Sequence, residues 1–255
     1  MGAEYTRQLA ARGLSLVVAA EAAEPLESLA REVAAAHGVD VRSVVVDLAA
    51  ADVLEKLAAA TADVEIGLLV YNAAHSVVGR FLDVSLADKL KTLDVNCRAP
   101  LLLADHFGKR MAKRGRGGII LMSSLAGFQG QAMVGTYAAT KAFSLVLGET
   151  LWDELADDGV DALAFCPGAT RTPQYLASQP RPSIAPTMEP ADAVREALAA
   201  LGRRPSAIAG RSNRIAAFVM HRFLPRRALV RFMSRTTRAM YDRAPSDDRG
   251  LARRS

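Results

Sequence analysis

Residues 118–124 read Gly-Ile-Ile-Leu-Met-Ser-Ser, a short apolar run that ends in two serines. Four further apolar runs repeat this pattern along the chain: Leu14–Ala19, Val41–Val46, Ile66–Val70 and Val160–Cys166. Each run is continuous rather than alternating between polar and apolar residues, which is typical of parallel strands buried on both faces. Stretches of helical composition separate the runs, so the sequence predicts an α/β fold with a doubly wound parallel sheet.

Helices are predicted between these strands. The first covers Pro25–His37 and ends at Gly38, because proline suits a first helical turn and glycine suits the position after a C-terminus. The others are predicted around residues 50–62, over Ser85–Lys113, over Thr136–Leu155 and near Pro190–Leu201. Ser206–Gly210 is predicted to form a last edge strand. We expect one doubly wound α/β domain over residues 1–210, with a basic helical extension of the same domain over residues 211–255.

Composition excludes several classes of protein. Of the 255 residues, 51% are hydrophobic and 23% are charged, as in a soluble protein with a sizeable core. Two cysteines, Cys97 and Cys166, are too few for a disulfide framework and suggest a reducing compartment. No apolar run approaches the ~20 residues that a membrane-spanning helix needs, and no secretory signal is recognised. We therefore expect a cytoplasmic protein, and we expect no metal ion in it.

Charge is distributed unevenly. Residues 201–255 contain fourteen arginines, no lysine and three aspartates, a net charge of +11, whereas residues 1–200 carry −6. Apolar residues recur in this segment at three- and four-residue spacing, in two groups: Ile215, Phe218, Val219 and Phe223, then Leu229, Phe232, Met233 and Met240. These are basic amphipathic helices. The first interpretation is that the apolar faces of these helices cover the protein's own core or substrate site. Attachment of the helices to an acidic membrane surface and packing against a partner helix are the alternatives. We expect no nucleic-acid binding, because the aromatic-interleaved motifs of RNA-binding modules are lacking.

Polar residues follow the predicted strands, where a doubly wound sheet binds its ligands. They are Asp47, Asn72-Ala73-Ala74, Ser123-Ser124 and Pro167-Gly168. Tyr137 and Lys141 are four residues apart near the start of a helix and therefore share one face. A lysine ammonium beside a phenol lowers the pKa of the tyrosine, which makes it usable as a general acid or base. Ser124 is expected to reach the same space and to hold a carbonyl or alcohol oxygen.

This set of residues resembles the short-chain dehydrogenase/reductase family. Tyr137 and Lys141 match the family's YxxxK element, Ser124 stands at the family's spacing before the tyrosine, and Asn96 matches the asparagine of the long helix. The resemblance implies reversible hydride transfer between a nicotinamide cofactor and an alcohol/ketone pair. Asn96, Ser124, Tyr137 and Lys141 would form the catalytic tetrad, in which Asn96 holds a water, and Tyr137 and Lys141 would also touch the cofactor.

The resemblance also implies a set of cofactor-binding residues. Asn72, Ala73 and Ala74 resemble the family's NAG element, with Ala74 in place of the usual glycine. The other expected contacts are the acidic element Asp47-Leu48, the PGxxxT element with Pro167, Gly168, Thr170 and Thr172, and Gly2. Residues 20–24 contain two glutamates and no basic residue, so Glu21 would accept from a ribose 2′-hydroxyl and repel a 2′-phosphate. We expect NAD or NADP, with a preference for NAD.

The substrate is expected to be a small hydrophobic alcohol or ketone, of a steroid-like, retinoid-like or fatty-acyl kind. Thr170–Glu189 has four prolines and little periodicity, so it is predicted to be a loop or lid that offers Tyr175, Leu176, Ile184 and Met188 to the site. Gln129, Gln131, Met133 and Val134 would line the opposite wall. The resemblance implies a homodimer or homotetramer built on the helices that hold Asn96 and Tyr137. A dinucleotide-binding or scaffold protein on the same fold, impaired in catalysis, is the alternative function.

The family's glycine-rich fingerprint, TGxxxGxG, is represented here by Gly2 alone. The first strand and the first two glycines of that element have no counterpart in the sequence. Because the first strand of this fold is central, its absence would leave peptide groups of two neighbouring strands unpaired inside the protein. We expect that about 15–20 further residues lie upstream in a longer gene. The 255-residue chain is then expected to bind dinucleotide poorly and to be unstable.

Overall fold

The computed structural model of the chain describes residues 1–178 and 187–241. Strands and helices alternate along most of the chain, as predicted. In order, the elements are α1 (Gly2–Ala10), β1 (Leu16–Ala20), α2 (Ala23–His37), β2 (Val41–Val45), α3 (Val53–Ala60), β3 (Leu68–Tyr71), α4 (Leu86–Leu93), α5 (Ala99–Arg114), β4 (Gly117–Met122), α6 (Gly135–Glu154), β5 (Val160–Cys166), α7 (Pro173–Ser178), α8 (Pro190–Ala200), β6 (Ser206–Ile208), α9 (Arg211–Phe223) and α10 (Arg226–Tyr241).

All strand pairs are parallel, which confirms the predicted α/β class. The strands form two separate sheets: β1 pairs with β2, and β3, β4, β5 and β6 pair in that order. The three-residue strand β6 pairs with β5 at the outer edge, as expected for the segment around Ser206. No hydrogen bond between backbone groups joins β1 to β3 in the described ranges. The sheet is thus interrupted between these two strands.

Helices cover both faces of the four-stranded sheet. On one face, Phe107 of α5 packs against Ile119 of β4. On the other face, Tyr5 of α1 and Val194 of α8 pack in the cluster that contains Leu163 of β5. Burial of these side chains is the main stabilising contribution to this part of the fold. It also fixes the carboxyl ends of β4 and β5 relative to α6.

Burial differs from the prediction in the two-stranded sheet. The continuous runs predict burial on both faces for every strand, and β4 and β5 follow this rule. Strands β1 and β2 do not, because their residues are half-buried or exposed; Val45 is 50% exposed. The prediction is wrong for this pair because an interior strand is buried only when a neighbour lies on each side of it.

The long helical region predicted over Ser85–Lys113 is not one α-helix. Ser85 caps the start of α4, where its side chain accepts a hydrogen bond from the backbone N–H of Asp88. A π-helical turn over Asp94–Arg98 then separates α4 from α5. Such π-helical turns are frequent at functional sites because they shift the direction of one side chain. Here the turn contains Asn96.

The segments after β5 also differ from the prediction. The proposed lid over Thr170–Glu189 contains a short helix, α7, and a parallel bridge between Thr170 and Met188, so it is not only a loop. Ile184 lies outside the described residues. The two predicted basic helices form as α9 and α10. Ala217 and Leu229 are buried, but Phe218 and other apolar residues of α9 are exposed, so α9 covers the protein with one side only.

Candidate active site

Ser124, Tyr137 and Lys141 come together at the carboxyl end of β4. Ser124 directly follows this strand as the cap of a short 3₁₀ helix, and its hydroxyl is hydrogen-bonded to that of Tyr137. Lys141 lies one turn along α6, with its Nζ 5.6 Å from the centre of the Tyr137 ring. The side chains that the sequence places in one site therefore meet around the phenol oxygen.

A glycine in the 3₁₀ helix, which covers Leu125–Phe128, allows the close approach of α6 to this turn. A Cβ atom on Gly127 would lie 2.8 Å from the carbonyl carbon of Lys141, closer than real contacts of this kind. Ser123 fixes the same point, because its Oγ donates a 2.7 Å hydrogen bond to the carbonyl oxygen of Lys141. The position of Lys141 is thus set by the backbone around it.

Lys141 is 3% exposed, and its Nζ donates a 2.6 Å hydrogen bond to the carbonyl oxygen of Met122. Burial lowers the pKa of Lys141 to about 8. The ammonium is therefore still mostly protonated at neutral pH. It places a positive charge below the ring of Tyr137 in a site that water does not screen.

Burial raises the pKa of Tyr137, and the hydrogen bond from Ser124 opposes this shift without cancelling it. From the sequence we expect Lys141 to lower the pKa of Tyr137, and this expectation is wrong in direction. The reason is that the phenolate would have to form in a dry environment. At neutral pH the phenol carries its proton, which suits donation to a carbonyl oxygen.

Asn96 is buried in the π-helical turn and joins three parts of the chain. Its Nδ2 donates to the carbonyl oxygen of His75 and to Oγ1 of Thr140, both at 2.9 Å. Its Oδ1 accepts from the N–H of His75 at 2.8 Å. These bonds hold the loop after β3 against α6, the helix that carries Tyr137 and Lys141.

A large trough separates the two sheets. We use this name for the space between β1 and β3, whose walls are Leu16–Ala20 and Leu68–Tyr71 and whose volume is about 1270 Å³. Seven residues predicted to touch a dinucleotide line it: Gly2, Glu21, Asp47, Leu48, Asn72, Ala73 and Ala74. Six of them lie in the loops that follow the carboxyl ends of β1, β2 and β3, and Gly2 begins α1. A Cβ on Gly2 would lie 3.0 Å from the Asn72 side chain, so glycine suits this position.

The structure adds a basic residue that sequence reasoning missed. Nζ of Lys91, on α4, lies 3.7 Å from Oε1 of Glu21. Both side chains line the trough. The two residues are 70 positions apart, and no motif connects them, so only the fold could show that Glu21 has a cation beside it.

The PGxxxT element lies at the carboxyl end of β5 and does not line the trough. The carbonyl oxygen of Pro167 accepts from the N–H of Leu125, which ties this loop to the Ser124 turn. Gly168 packs closely against Asn213, where a Cβ would lie 2.7 Å from Nδ2. Thr170 pairs with Met188, and Thr172 accepts from the N–H of Tyr175 at the start of α7.

Only some of the residues that were expected to line the substrate site lie beside Tyr137. Met133 lines a small pocket beside Tyr137, together with residues that sequence reasoning missed: Val77, Gly79, Phe81 and Val84. Met133 has a φ of 68°, a strained conformation for a residue other than glycine, and its carbonyl oxygen accepts from the N–H of Gly79. Leu176 is 53% exposed on α7, and neither it nor Gln131 or Tyr175 lines this pocket.

The C-terminal helix closes the other side of this region. The Oγ of Ser234, on α10, accepts a 3.0 Å hydrogen bond from the N–H of Ala132. The side chain of Arg226 donates a 2.7 Å bond to the carbonyl oxygen of Phe128. Tyr241, at the end of α10, is close enough to Tyr137 to affect its pKa. Part of the C-terminal extension therefore covers the loop between Ser124 and Tyr137.

Comparison with known proteins shows the family to which this chain belongs. Residues 1–181 match the family described as short chain dehydrogenase. The chain belongs to the short-chain dehydrogenase/reductase family. It is therefore an oxidoreductase that acts on CH–OH groups with a nicotinamide cofactor, on a Rossmann-like fold. Within residues 1–178 and 187–241, no helix has the length and apolar character needed to cross a membrane.

Individual relatives fall into two groups by their names. The chain is 30% identical over 209 residues to the 7β-hydroxysteroid dehydrogenase of Clostridium sardiniense, covering 81% of this chain and 80% of that protein. It is 30% identical over 166 residues to the very-long-chain 3-oxoacyl-CoA reductase of Podospora anserina, covering 63% of this chain and 49% of that protein.

Solved structures show the same similarity. A structure described in work on 7β-hydroxysteroid dehydrogenase stereoselectivity superimposes with a TM-score of 0.86 at 27% identity, covering 90% of this chain and 91% of that chain. A short-chain dehydrogenase from Sphingobium yanoikuyae in complex with NADPH gives a TM-score of 0.76 at 28% identity, covering 87% of this chain and 89% of that chain.

Proposed function

We propose that this protein interconverts a hydrophobic secondary alcohol and its ketone, with a steroid-like or fatty-acyl skeleton. The observation that carries the proposal is the cluster of Ser124, Tyr137 and Lys141. A small pocket lies beside Tyr137, with apolar residues such as Val77 and Phe81 and polar residues such as Thr92 in its walls. The names of the relatives, a hydroxysteroid dehydrogenase and a 3-oxoacyl-CoA reductase, support a substrate of this class.

In this mechanism the residues of the chain handle the proton. The nicotinamide cofactor supplies the chemistry of hydride exchange when it is bound. Tyr137 donates its phenolic proton to the carbonyl oxygen, and in the reverse direction takes it back from the alcohol. Ser124 binds the same oxygen through its hydroxyl group. Lys141, charged and buried behind the ring, stabilises the phenolate that forms after proton transfer.

The dinucleotide would lie in the trough, with Asp47, Leu48 and the Asn72-Ala73-Ala74 loop beside it. The residues of the PGxxxT element, Pro167, Gly168, Thr170 and Thr172, would face its nicotinamide end. Glu21 favours NAD, because a carboxylate accepts from a ribose 2′-hydroxyl and repels a 2′-phosphate. Lys91 reduces this preference, since it partly neutralises Glu21.

Two further surfaces complete the proposal. Exposed apolar side chains of α5 and α6, Leu101, Val146 and Trp152, would form the contact of a homodimer or homotetramer. On α9, Ile215, Phe218 and Phe223 are 55%, 65% and 69% exposed. Arg214 of this helix pairs with Glu196, whereas Arg211 and Arg222 have no ion pair in the described ranges, so this helix would touch an acidic membrane surface. Co-sedimentation with anionic vesicles at low salt checks the second contact, and no binding would refute it.

The experiment that tests the function is turnover of hydroxysteroids and 3-oxoacyl thioesters, followed by absorbance of the reduced cofactor. Tyr137→Phe should lower kcat by about 10²–10⁴ because the proton donor is lost. Tyr5→Phe is the matched control, since it removes a buried tyrosine hydroxyl that bonds to Sδ of Met122, away from the phenol of Tyr137. Near-normal turnover by Tyr137→Phe would refute the assignment of Tyr137 as proton donor.

A further inference from the structure

Helix α10 lies along the loop that connects Ser124 to Tyr137. Three contacts, in chain order, tie the two segments together: Arg226 donates to the carbonyl oxygen of Phe128, Ser234 accepts from the N–H of Ala132, and Tyr241 lies close enough to Tyr137 to affect its pKa. The contacts follow the same order in both segments, so α10 runs in the direction of the loop. The end of α10 therefore lies beside the residue proposed as proton donor.

One face of α10 carries both the contact with the loop and two arginines. Arg231 precedes Ser234 by three residues and Arg238 follows it by four, and these spacings place side chains on the same face of an α-helix. Tyr241 follows Arg238 by three residues and continues this face. Both arginines are exposed, whereas Thr237 is buried. Along the helix, the two arginines thus flank the point at which α10 bonds to the loop.

No carboxylate neutralises Arg231 or Arg238 in the part of the chain that the structure describes; Arg214 of α9, for comparison, pairs with Glu196. The loop itself cannot supply a counter-charge, because residues 125–136 contain no charged side chain. Helix α10 contains no acidic residue either. Two unpaired guanidinium groups of this kind attract an oxyanion from solution.

The pocket beside Tyr137 adjoins these arginines. Met133, one of its walls, directly follows the residue that bonds to Ser234. At 1.5 Å of rise per residue, Arg238 lies about 5 Å and Arg231 about 15 Å before the level of Tyr241 along the axis of α10. A molecule whose carbonyl oxygen meets Tyr137 therefore needs a skeleton of about 5–15 Å to bring a second group to these arginines.

We propose that Arg231 and Arg238 form an anion subsite at the entrance of the active site, and that the substrate is an amphipathic anion. Its hydrophobic skeleton would carry the alcohol or ketone at one end and a carboxylate or phosphate at the other. This statement deepens the proposed function and rests on it for the position of the reacting oxygen. A guanidinium fits either oxyanion, because both present two oxygen atoms to its N–H donors.

The test compares each anionic substrate with a neutral partner of the same skeleton. An oxosteroid with a side-chain carboxylate is paired with its methyl ester, and a 3-oxoacyl-CoA is paired with the N-acetylcysteamine thioester, which lacks the phosphates. In the wild type, kcat/KM should favour the anion about fivefold to tenfold in one of these pairs, through a lower KM. The pair that shows this preference identifies the source of the oxyanion.

Substitution of both arginines should remove the preference. In the double variant Arg231→Gln, Arg238→Gln the two members of the pair should have equal kcat/KM, while kcat for the neutral member stays at the wild-type value and shows that the site is intact. Arg227→Gln is the matched control, since it removes the same charge from the same face about 21 Å before the level of Tyr241. It should keep the wild-type preference.

Three results would overturn the subsite. They are equal kcat/KM within both pairs in the wild type, an equal loss of preference in Arg227→Gln, and an unchanged preference in the double variant. If the double variant keeps the preference and loses only its binding to anionic vesicles, these arginines bind a membrane surface instead.

Direct binding separates the failure of this proposal from the failure of the proposed function. Calorimetric titration of the full chain with the carboxylate and with its methyl ester, and with the corresponding thioesters, needs no turnover. A binding preference for the anion that the double variant loses, without turnover of any ketone, keeps the subsite and refutes the proposed function. Turnover of both members of each pair with equal kcat/KM keeps the function and refutes the subsite, and neither binding nor turnover refutes both.

Discussion

The two sheets of this protein share a sequence pattern but differ in burial. In the four-stranded sheet, Ile119, Ile120, Leu163 and Phe165 are fully buried, and helices cover both faces. In the two-stranded sheet, the strands are half-buried and one edge faces the trough. The proposed proton-transfer residues lie at the carboxyl end of the first sheet, and several proposed dinucleotide contacts lie beside the second. The residues proposed for proton transfer are thus held by closely packed strands, whereas those proposed for cofactor binding lie beside strands that are only half-buried.

The largest expected difference between the two sheets is in how much a core substitution lowers the free energy of unfolding. Phe165→Ala in β5 should cost about 3–5 kcal/mol in the free energy of unfolding, because it leaves a cavity in a closely packed core. Val18→Ala in β1 should cost less than about 1 kcal/mol, because this side chain is only half-buried. Urea denaturation measures both values. Similar costs for the two substitutions would show that the halves are equally well packed.

A smaller effect concerns pH and the buried lysine. Since the pKa of Lys141 is about 8 in the folded chain and about 10.4 in an unfolded chain, the unfolded state holds more protons between these values. Lys141 therefore makes the free energy of unfolding rise with pH in that window, by at most about 1.4 kcal/mol per pH unit. Burial raises the pKa of Cys97 to about 11 and of Cys166 to about 12, which opposes this trend.

The measurement is urea denaturation at several pH values from 7.5 to 9.5, with wild type and Lys141→Met compared at each. The thiols are present in both proteins, so the difference between the two slopes isolates the lysine. The variant should show the lower slope. Lys109→Met, which removes an exposed helical ion pair with Asp105, is the control and should keep the wild-type slope. Parallel slopes for wild type and Lys141→Met would contradict the assigned pKa.

The smallest expected effect on the free energy of unfolding comes from a substitution beside the two-stranded sheet. Glu21→Gln removes an exposed ion pair with Lys91, so stability should change by less than about 0.5 kcal/mol. The ratio of dissociation constants for NAD and NADP should shift severalfold towards NADP, because the carboxylate no longer repels the 2′-phosphate. Glu24→Gln is the matched control on the same stretch of chain. A shift towards NAD would contradict the role given to Glu21.

Much of this arrangement could be predicted from residues that are close in sequence or end a strand. The spacing of Tyr137 and Lys141 fixes one helical face, and Ser124 ends a strand that must lie beside that helix. The interruption of the sheet agrees with the expectation that a central strand has no counterpart here. Other contacts could not be predicted, because they join residues that are about 20–100 positions apart in the sequence. They are the ion pair of Lys91 with Glu21, the hydrogen bond of Ser234 on α10, and the bonds of Asn96 to His75 and Thr140.

The direction of the Tyr137 pKa was also missed, and for a physical reason. A sequence shows which charges stand near a group, but it does not show how completely water is removed from it. In the folded protein, burial of the phenol outweighs its favourable neighbours. The half-burial of β1 escaped prediction in the same way, since an apolar run carries no information about whether a neighbouring strand is present.

Strands β4 and β5 are buried on both faces whereas β1 and β2 are half-buried or exposed, so we expect the four-stranded sheet to open less readily than the two-stranded sheet. Hydrogen exchange of backbone amides, read by mass spectrometry on the 255-residue chain at neutral pH, tests this directly. The amides of β4 and β5 should exchange at least about 100-fold more slowly than those of β1 and β2, which corresponds to a difference of about 2.7 kcal/mol in opening free energy. Equal protection in the two sheets would contradict the account.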